Sequence, residues 1–498
     1  MVIVFILIVG FILRLINLNQ SLWLDEAVQV VTSKGPFLGI FAELQGDFHP
    51  PLYHFLMWGW AHLFGNGEIA IRLPSVFFGT ATIYIVYLIA KEISLANSFT
   101  SQESKSLLRH LRGVSFACLA ALFLATAPFH IYYSQEARMY SVGTFLAAGS
   151  FYFFLKLLKS DKGRIKENKG NTLGYLLFTL LALYTDYYAF FVLLAQWIFL
   201  LIKKRYLLLF YSLALLLFYL PWLPMLYKQL QFGIQATNIL PEWGRLVNLS
   251  FLKALPLTFI KFSLGRITIF NKTAYGSIAV ILGIFYVYLL FKGIKRWLKD
   301  GKGNLIVVLL WLLVPLGFAW IASLFVPNYQ PFRLLLVLPA FYLLLTMGIE
   351  GLGERRIRGV IIVTVLIINL ASLSVYYFNP YFHREDWRGV VGYLQQQKEI
   401  SVVLPSGTSA WPLKYYDPNN KINLISTNMG ISKIEGEQLT VVGNQLSLAN
   451  KRIYYIRYLV PLFDPAGNIE TKLGELGYNK IEEKSFNQIP VWEYQLTD

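Results

Sequence analysis

Long apolar runs constrain this chain more than any other feature. Runs of bilayer-crossing length stand near 2–18, 70–90, 113–130, 141–158, 206–226, 274–292, 304–325, 332–350 and 359–378. The stretch 172–202 is long enough for two shorter spans turning near Tyr184-Thr185-Asp186-Tyr187, which brings the expected total to eleven. In hydrocarbon every backbone amide must be satisfied within its own segment, so such runs have to be helices. With 56% hydrophobic and 14% charged residues and a mean hydropathy of +0.51, the chain is too apolar for a soluble globular protein. The expected fold class is a polytopic α-helical membrane protein of about eleven transmembrane helices. The first run starts almost at Met1 with no small-residue cleavage site before Trp23, so it reads as a retained span rather than a removed signal.

Charge then sets the orientation. The net charge of +16 is not spread evenly. Lys91, Lys105, Arg109 and Arg112 fall in one connection; Lys156, Lys159, Lys162, Arg164, Lys166 and Lys169 in the next. Lys203, Lys204 and Arg205, then Lys292, Lys295, Arg296 and Lys299, and finally Arg355, Arg356 and Arg358 complete the set. Short loops rich in Lys and Arg stay in the cytoplasm, and these five agree with one another only if residues 51–65 do not cross. That piece, rich in Trp and His, reads as a juxtamembrane helix, and Leu246–Leu264 reads as a second helix lying on the membrane surface. The N-terminus is therefore expected in the cytoplasm. The basic excess is topogenic, so nucleic acid is not an expected partner. Cys118 is the single cysteine, which excludes an intrachain disulfide and a cysteine metal site.

The opposite face receives 19–69, 129–140, 184–188, 227–273, 326–331 and everything after 378. Residues 383–498 have ordinary polar composition, with a capped helix at 385–394, strands at 400–404, 452–457 and 491–496, and a short helix at 471–476. The expected domains are thus 1–380, a transmembrane catalytic domain whose first outer loop is 19–69, and 383–498, a soluble α/β domain outside.

Every unusual polar residue near the membrane maps to that outer side. Arg14 ends the first span, and Asp25, Glu26, Asp47 and His49 crowd the loop after it. Glu136 and Arg138 begin another span, Asp186 sits in the short hairpin, and Tyr329 and Arg333 flank the entrance to the span at 332. Acids and cations converging at one bilayer surface suit a reaction on a lipid-linked anionic substrate: a carboxylate takes a proton from a hydroxyl, and cations stabilise a phosphate. Structural readings compete with each assignment. Asp25 and Glu26 could cap a helix, Arg14 could snorkel, and Arg138 and Arg333 could pair with Glu136 or lipid headgroups. His49 could bond backbone, Asp186 could cap its hairpin, and His54, His62, Trp58 and Trp60 read most simply as an interfacial aromatic belt. Asp, Glu and His suit a divalent cation, but no regular spacing supports a site, so no metal or other cofactor is expected.

At these residues the chain resembles the GT-C superfamily of membrane glycosyltransferases, specifically family 39, which holds the protein O-mannosyltransferases and the aminoarabinose–lipid A transferases. The resemblance rests on Asp25-Glu26 after the first span, His49-Pro50-Pro51-Leu52-Tyr53, Arg72-Leu73-Pro74-Ser75, Gln135-Glu136-Ala137-Arg138, and the late Arg333-to-Pro339 segment, over roughly residues 1–380. It implies an enzyme that moves a sugar from a polyprenyl-phosphate carrier to an acceptor hydroxyl, with inversion, at the outer face of a bacterial inner membrane. The acceptor is a protein, lipid or glycan. Asp25 matches the family's loop acid and is the expected base, with Glu26 orienting it or the acceptor. His49 stands where some relatives carry a phosphate-binding lysine. Arg138, Arg333 and Arg14 are the remaining donor-binding candidates from charge and side, and Tyr53, Glu136, Asp186 and Tyr329 are candidates for the substrate pocket. A lipid-linked-sugar transporter, or an oligosaccharide ligase or polymerase, is the alternative. The transporter is disfavoured because the ionisable residues gather at one surface rather than mid-membrane and no repeated halves are visible.

Overall fold

The structure is a computed structural model that describes residues 1–96, 107–159, 168–269, 271–300, 302–397, 400–427 and 433–497. Lys105, Lys162, Arg164 and Lys166 lie outside these residues. Among them, seven helices are long and apolar enough to cross a bilayer, and the bent pair Ser115–Thr126 and Pro128–Ser134 makes an eighth. Val2–Leu15, Lys169–Leu183 and Ala189–Ile202 are shorter helices on three more of the expected runs. Residues 172–202 are thus two helices joined at 184–188. The chain is an integral membrane protein with a helix on each of the eleven expected runs. Leu52–Phe64 is a separate helix of 13 residues, and Phe251–Leu264 one of 14.

One break decides where the outer loops go. The helix Leu107–Thr126 stops because Pro128 has no amide to donate and forces Ala127 into extended backbone (φ −64°, ψ 115°). The chain restarts at Pro128 and turns by 60°. That turn carries residues 135–138 across the top of the bundle instead of out of it. Gly265 ends the neighbouring helix Phe251–Leu264 at φ +69°, and a Cβ there would lie 2.8 Å from the Pro128 side chain, so only glycine fits against the bend. Beyond the bend, Pro331–Val337 forms a 3₁₀ segment bearing Arg333 before the helix Leu338–Glu350.

The outer part after Phe378 is built on a five-stranded sheet: β1 Ser401–Val403, β2 Asn423–Ile425, β3 Arg452–Ile456, β4 Tyr478–Phe486 and β5 Ile489–Leu496. Its order is β2-β1-β3-β5-β4, with β1 parallel to β2 and β3 and the rest antiparallel. Helices cover both faces. Trp387–Leu394 and Trp411–Tyr416 pack on one around Trp387 and Tyr454, while Gly436–Ser447 and Asn468–Glu475 pack on the other around Val442 and Ile453. Of these strands β2 and β4 were not expected. β2 is only three residues long, and β4 alternates charged residues on an exposed face, so neither offers an apolar period to read.

Candidate active site

The first outer loop begins with a short helix, Leu24–Lys34, whose adjacent acids face different surroundings. Glu26 points inward and is fully buried. Arg72 donates from Nε to Oε1 at 2.8 Å and from Nη2 to Oε2 at 2.5 Å, and the Ala137 amide adds a bond to Oε1 at 2.9 Å. The other donors of Arg72 hold the carbonyls of Leu18, Gln20 and Ser21. Burial works against ionisation of Glu26, but Arg72 and Arg384 outweigh it and hold its carboxyl below the ordinary range. This acid has no open face for an acceptor; its place is to anchor the loop.

Asp25, one residue earlier, keeps 38% of its side chain exposed and lies 3.6 Å from Nη2 of Arg138. Its low-dielectric surroundings raise its carboxyl above the ordinary range, with Arg138 and Arg333 pulling down and Asp47 pushing up. Arg138 is 7% exposed, and its Nε, like that of Arg333, is buried without a hydrogen-bond partner. Arg333 also acts electrostatically on His49 and Asp186. One half-exposed carboxylate therefore stands beside the Arg138 guanidinium and feels that of Arg333, each with an unpartnered Nε.

Asp47 sits beside this group between two imidazoles. An ionised carboxylate can only accept, so His49 donates Nδ1–H to Oδ1 at 2.5 Å and His54 donates Nε2–H to Oδ2 at 3.1 Å. Burial opposes the charge on Asp47, yet His49 and His54 hold it well below the carboxylate range. Burial, with Arg138 and Arg333 nearby, pushes His49 down to about 4 against the pull of Asp47. His49 is thus a neutral, oriented imidazole rather than a cation. His54 is buried against Asp47 and is not part of an aromatic belt; His62 does stack on Trp58, at 4.4 Å between ring centres.

Three other expected residues stand elsewhere. All five N–H donors of Arg14 are consumed by Gly10, Leu124, Ala125, His130 and Ser134, and the side chain is fully buried. It neither snorkels nor has a donor left for phosphate: it pins the first helix to the bend. Tyr329 is fully buried, its hydroxyl 2.9 Å from Thr258, and Tyr53 belongs to the apolar core. Neither is among the walls of the cavity between the bundle and the sheet domain. Asp186 caps its hairpin, accepting from the Tyr188 amide at 2.9 Å, and burial raises its carboxyl to about 6. Glu136 is 1% exposed and bonded to Arg384 at 2.9 Å.

A cavity of about 460 Å³ opens between the bundle and the sheet domain; Asp25 does not line it, but Trp23, two residues earlier, does, and so does Glu385, on which Asp25 acts electrostatically. Trp23, Tyr132, Lys261, Arg266, Arg384 and Glu385 are among its walls. Arg266 lies over the Tyr132 ring at 5.0 Å and donates to the Tyr133 hydroxyl at 3.3 Å. Among the described residues neither Lys261 nor Arg266 has a carboxylate partner; Lys261 bonds only carbonyls, and burial with Arg266 nearby lowers it to about 8. Glu385, bonded by Trp387 and Tyr458, is raised to about 7 by burial. Among the described residues no group of three or more His, Cys, Asp or Glu is placed to hold a metal ion. Arg72, Lys261, Arg266 and Arg384 were not among the expected site residues. For Arg72 a signal existed, since an arginine opening an apolar helix needs a partner. For Lys261, Arg266 and Arg384 only the packing brings them together.

Residues 48–99 match a family described as dolichyl-phosphate-mannose-protein mannosyltransferase. No curated protein matches the chain. Among solved structures, ArnT from Cupriavidus metallidurans in the apo state is similar over 99% of this chain and 97% of its own, at 13% identity and a TM-score of 0.55. ArnT from the same organism bound to undecaprenyl phosphate is similar over the same shares, at 13% identity and a TM-score of 0.50. The likeness takes in the helical bundle and the sheet domain together. The chain thus has a fold similar to that of these solved structures over nearly its whole length.

Proposed function

We propose that this protein is an inverting glycosyltransferase that uses a sugar carried on polyprenyl phosphate, at the outer face of a bacterial inner membrane, with the cytoplasmic N-terminus that its basic loops favour. The observation that carries the reading is the half-exposed Asp25 carboxylate 3.6 Å from Arg138, with buried, unpartnered Nε donors on both Arg138 and Arg333. In this mechanism Asp25 accepts the proton of the acceptor hydroxyl as its oxygen attacks the anomeric carbon. The bond from that carbon to the carrier phosphate breaks with its electron pair going to the phosphate oxygen. Arg138 and Arg333 meet the charge that grows there. Phosphate leaves without a proton, so no general acid is needed. Glu26 positions Asp25 rather than touching the acceptor, and neutral His49 offers a hydrogen bond, not a charge. ArnT bound to undecaprenyl phosphate supports this class of carrier, and the cavity lined by Lys261, Arg266 and Arg384 offers cations to an anionic reactant.

The test is transfer of labelled sugar from undecaprenyl phosphate by Asp25→Asn protein of unchanged thermal stability. A loss of at least about 10²-fold in kcat is expected for removing a general base. Near-normal turnover removes Asp25 from the role. Release of undecaprenyl phosphate with each turnover separates the transferase from a transporter, which would move the lipid unchanged.

A further inference from the structure

We infer that Arg384, from the segment leading into the sheet domain, is a positioning residue for the Asp25–Arg138 pair, and that the outer domain is therefore part of the catalytic unit. The catalytic half of this statement rests on the function proposed above.

Arg384 is 6% exposed and reaches down into the membrane domain. Its Nη1 donates to Glu136 Oε2 at 2.9 Å and its Nη2 to the Gln135 carbonyl at 3.1 Å. Its Nε lies 3.9 Å from Glu26 Oε2, and its guanidinium lies 4.8 Å over the Tyr132 ring. The backbone amide of the same residue donates to Gln20 Oε1 at 2.9 Å. One side chain thus touches both strands of chain that present the reacting pair: Glu26 follows Asp25 on one helix, and Glu136 precedes Arg138 by two residues.

Counting donors shows that Arg72 cannot take its place. Arg72 spends all five N–H groups on Glu26 and on the carbonyls of Leu18, Gln20 and Ser21. It has none left for Glu136, whose ion pair is with Arg384. Two buried carboxylates, Glu26 and Glu136, are thus balanced by one cation from the bundle and one from outside it. Without Arg384, Glu136 keeps a buried charge with no bonded counter-ion, only the longer-range pull of Arg266 and Arg138, and it is driven to take up a proton or move toward water. Either response shifts residues 135–138, and with them Ala137, whose amide binds Glu26, and Arg138, which faces Asp25. The same outer segment holds the other side of the loop: the Leu22 amide donates to the Tyr416 hydroxyl at 2.8 Å, and Arg388 donates from its backbone to Ser21 Oγ at 3.1 Å and from Nη2 to the Asn19 carbonyl at 2.6 Å.

The experiment compares full-length wild type, Arg384→Gln and Arg384→Lys in detergent, by hydrogen–deuterium exchange and by sugar transfer. In Arg384→Gln, amides of 19–30 and 135–138 are expected to exchange at least about tenfold faster while the helix Lys272–Asp300 keeps its protection. kcat is expected to fall at least about tenfold, with KM for the lipid donor within about threefold. Arg384→Lys keeps the charge but loses the fork, so it folds and recovers part of kcat. Unchanged exchange at both segments overturns the positioning claim whatever the turnover does. Faster exchange with wild-type kcat overturns its catalytic half. If Arg384→Gln does not fold, Arg384→Lys decides: wild-type exchange and kcat in that variant show that charge alone suffices and overturn positioning by the fork. The exchange reading does not depend on Asp25 being the base, so failure of the proposed reaction and failure of this inference are told apart.

Discussion

Arg72 encloses the Glu26 carboxylate with two nitrogens, Nε at 2.8 Å from one oxygen and Nη2 at 2.5 Å from the other, both side chains sealed from solvent. The bidentate fork ties the start of the helix Glu68–Ala96 to the first outer loop. Since the same guanidinium holds three loop carbonyls, this single residue shapes the path of 18–26.

Glu26→Leu leaves Arg72 charged and unpaired in that site, and is expected to cost about 3–5 kcal/mol of stability. The folded-state value of Glu26 lies below its unfolded one, so the pair contributes stability above the ordinary glutamate range and loses it as pH falls through the folded value. Thermal unfolding at neutral pH should show a large gap between wild type and variant, narrowing in acid. A gap that widens in acid would contradict the assignment.

Arg138→Gln removes a donor aimed at the developing phosphate charge, and about 10²-fold of kcat is the expected loss. Arg138 also lowers the Asp25 carboxyl. Without it that carboxyl rises further, so the acid limb of the rate profile, where Asp25 must be ionised, moves to higher pH. A measured pH–kcat profile of the variant checks both parts.

His49, lowered to about 4, stays neutral from roughly pH 5.5 to 8, so donor KM is expected to be flat across that range. An inflection near neutrality that His49→Gln abolishes would show a cationic His49 instead. Stability follows the opposite path to that of a paired histidine. Between its unfolded value and about 4 the folded state binds fewer protons, so this residue makes stability rise with pH across that window.

Arg14→Met is expected to lower the unfolding temperature, because it strips five hydrogen bonds from the junction of Val2–Leu15 with the bend, while leaving donor KM within about twofold. A donor KM raised tenfold at unchanged stability would return Arg14 to the phosphate site.

The helices were legible because each must be apolar over a bilayer's thickness. The candidate site was legible in part. Asp25 does meet Arg138, with Arg333 acting on it electrostatically, and Asp25 and Glu26 stood out as acids in a chain with little use for them. Their neighbour relation misled: adjacent helical positions point about 100° apart, so one acid stays half-exposed beside Arg138 and the other is buried in the bundle. Asp47, His49 and His54 could be counted in order, yet not that one carboxylate joins both imidazoles.

Composition and periodicity dictated a membrane bundle and an appended α/β unit, since hydrophobic length acts locally along the chain. Only the packing decided that Arg14, Tyr329 and Tyr53 are structural and that Lys261, Arg266 and Arg384 crowd one cavity. Such decisions depend on residues more than a hundred positions apart, like Arg384 and Glu136. A buried charge takes whichever partner the fold brings within about 3 Å, and no local pattern records that choice.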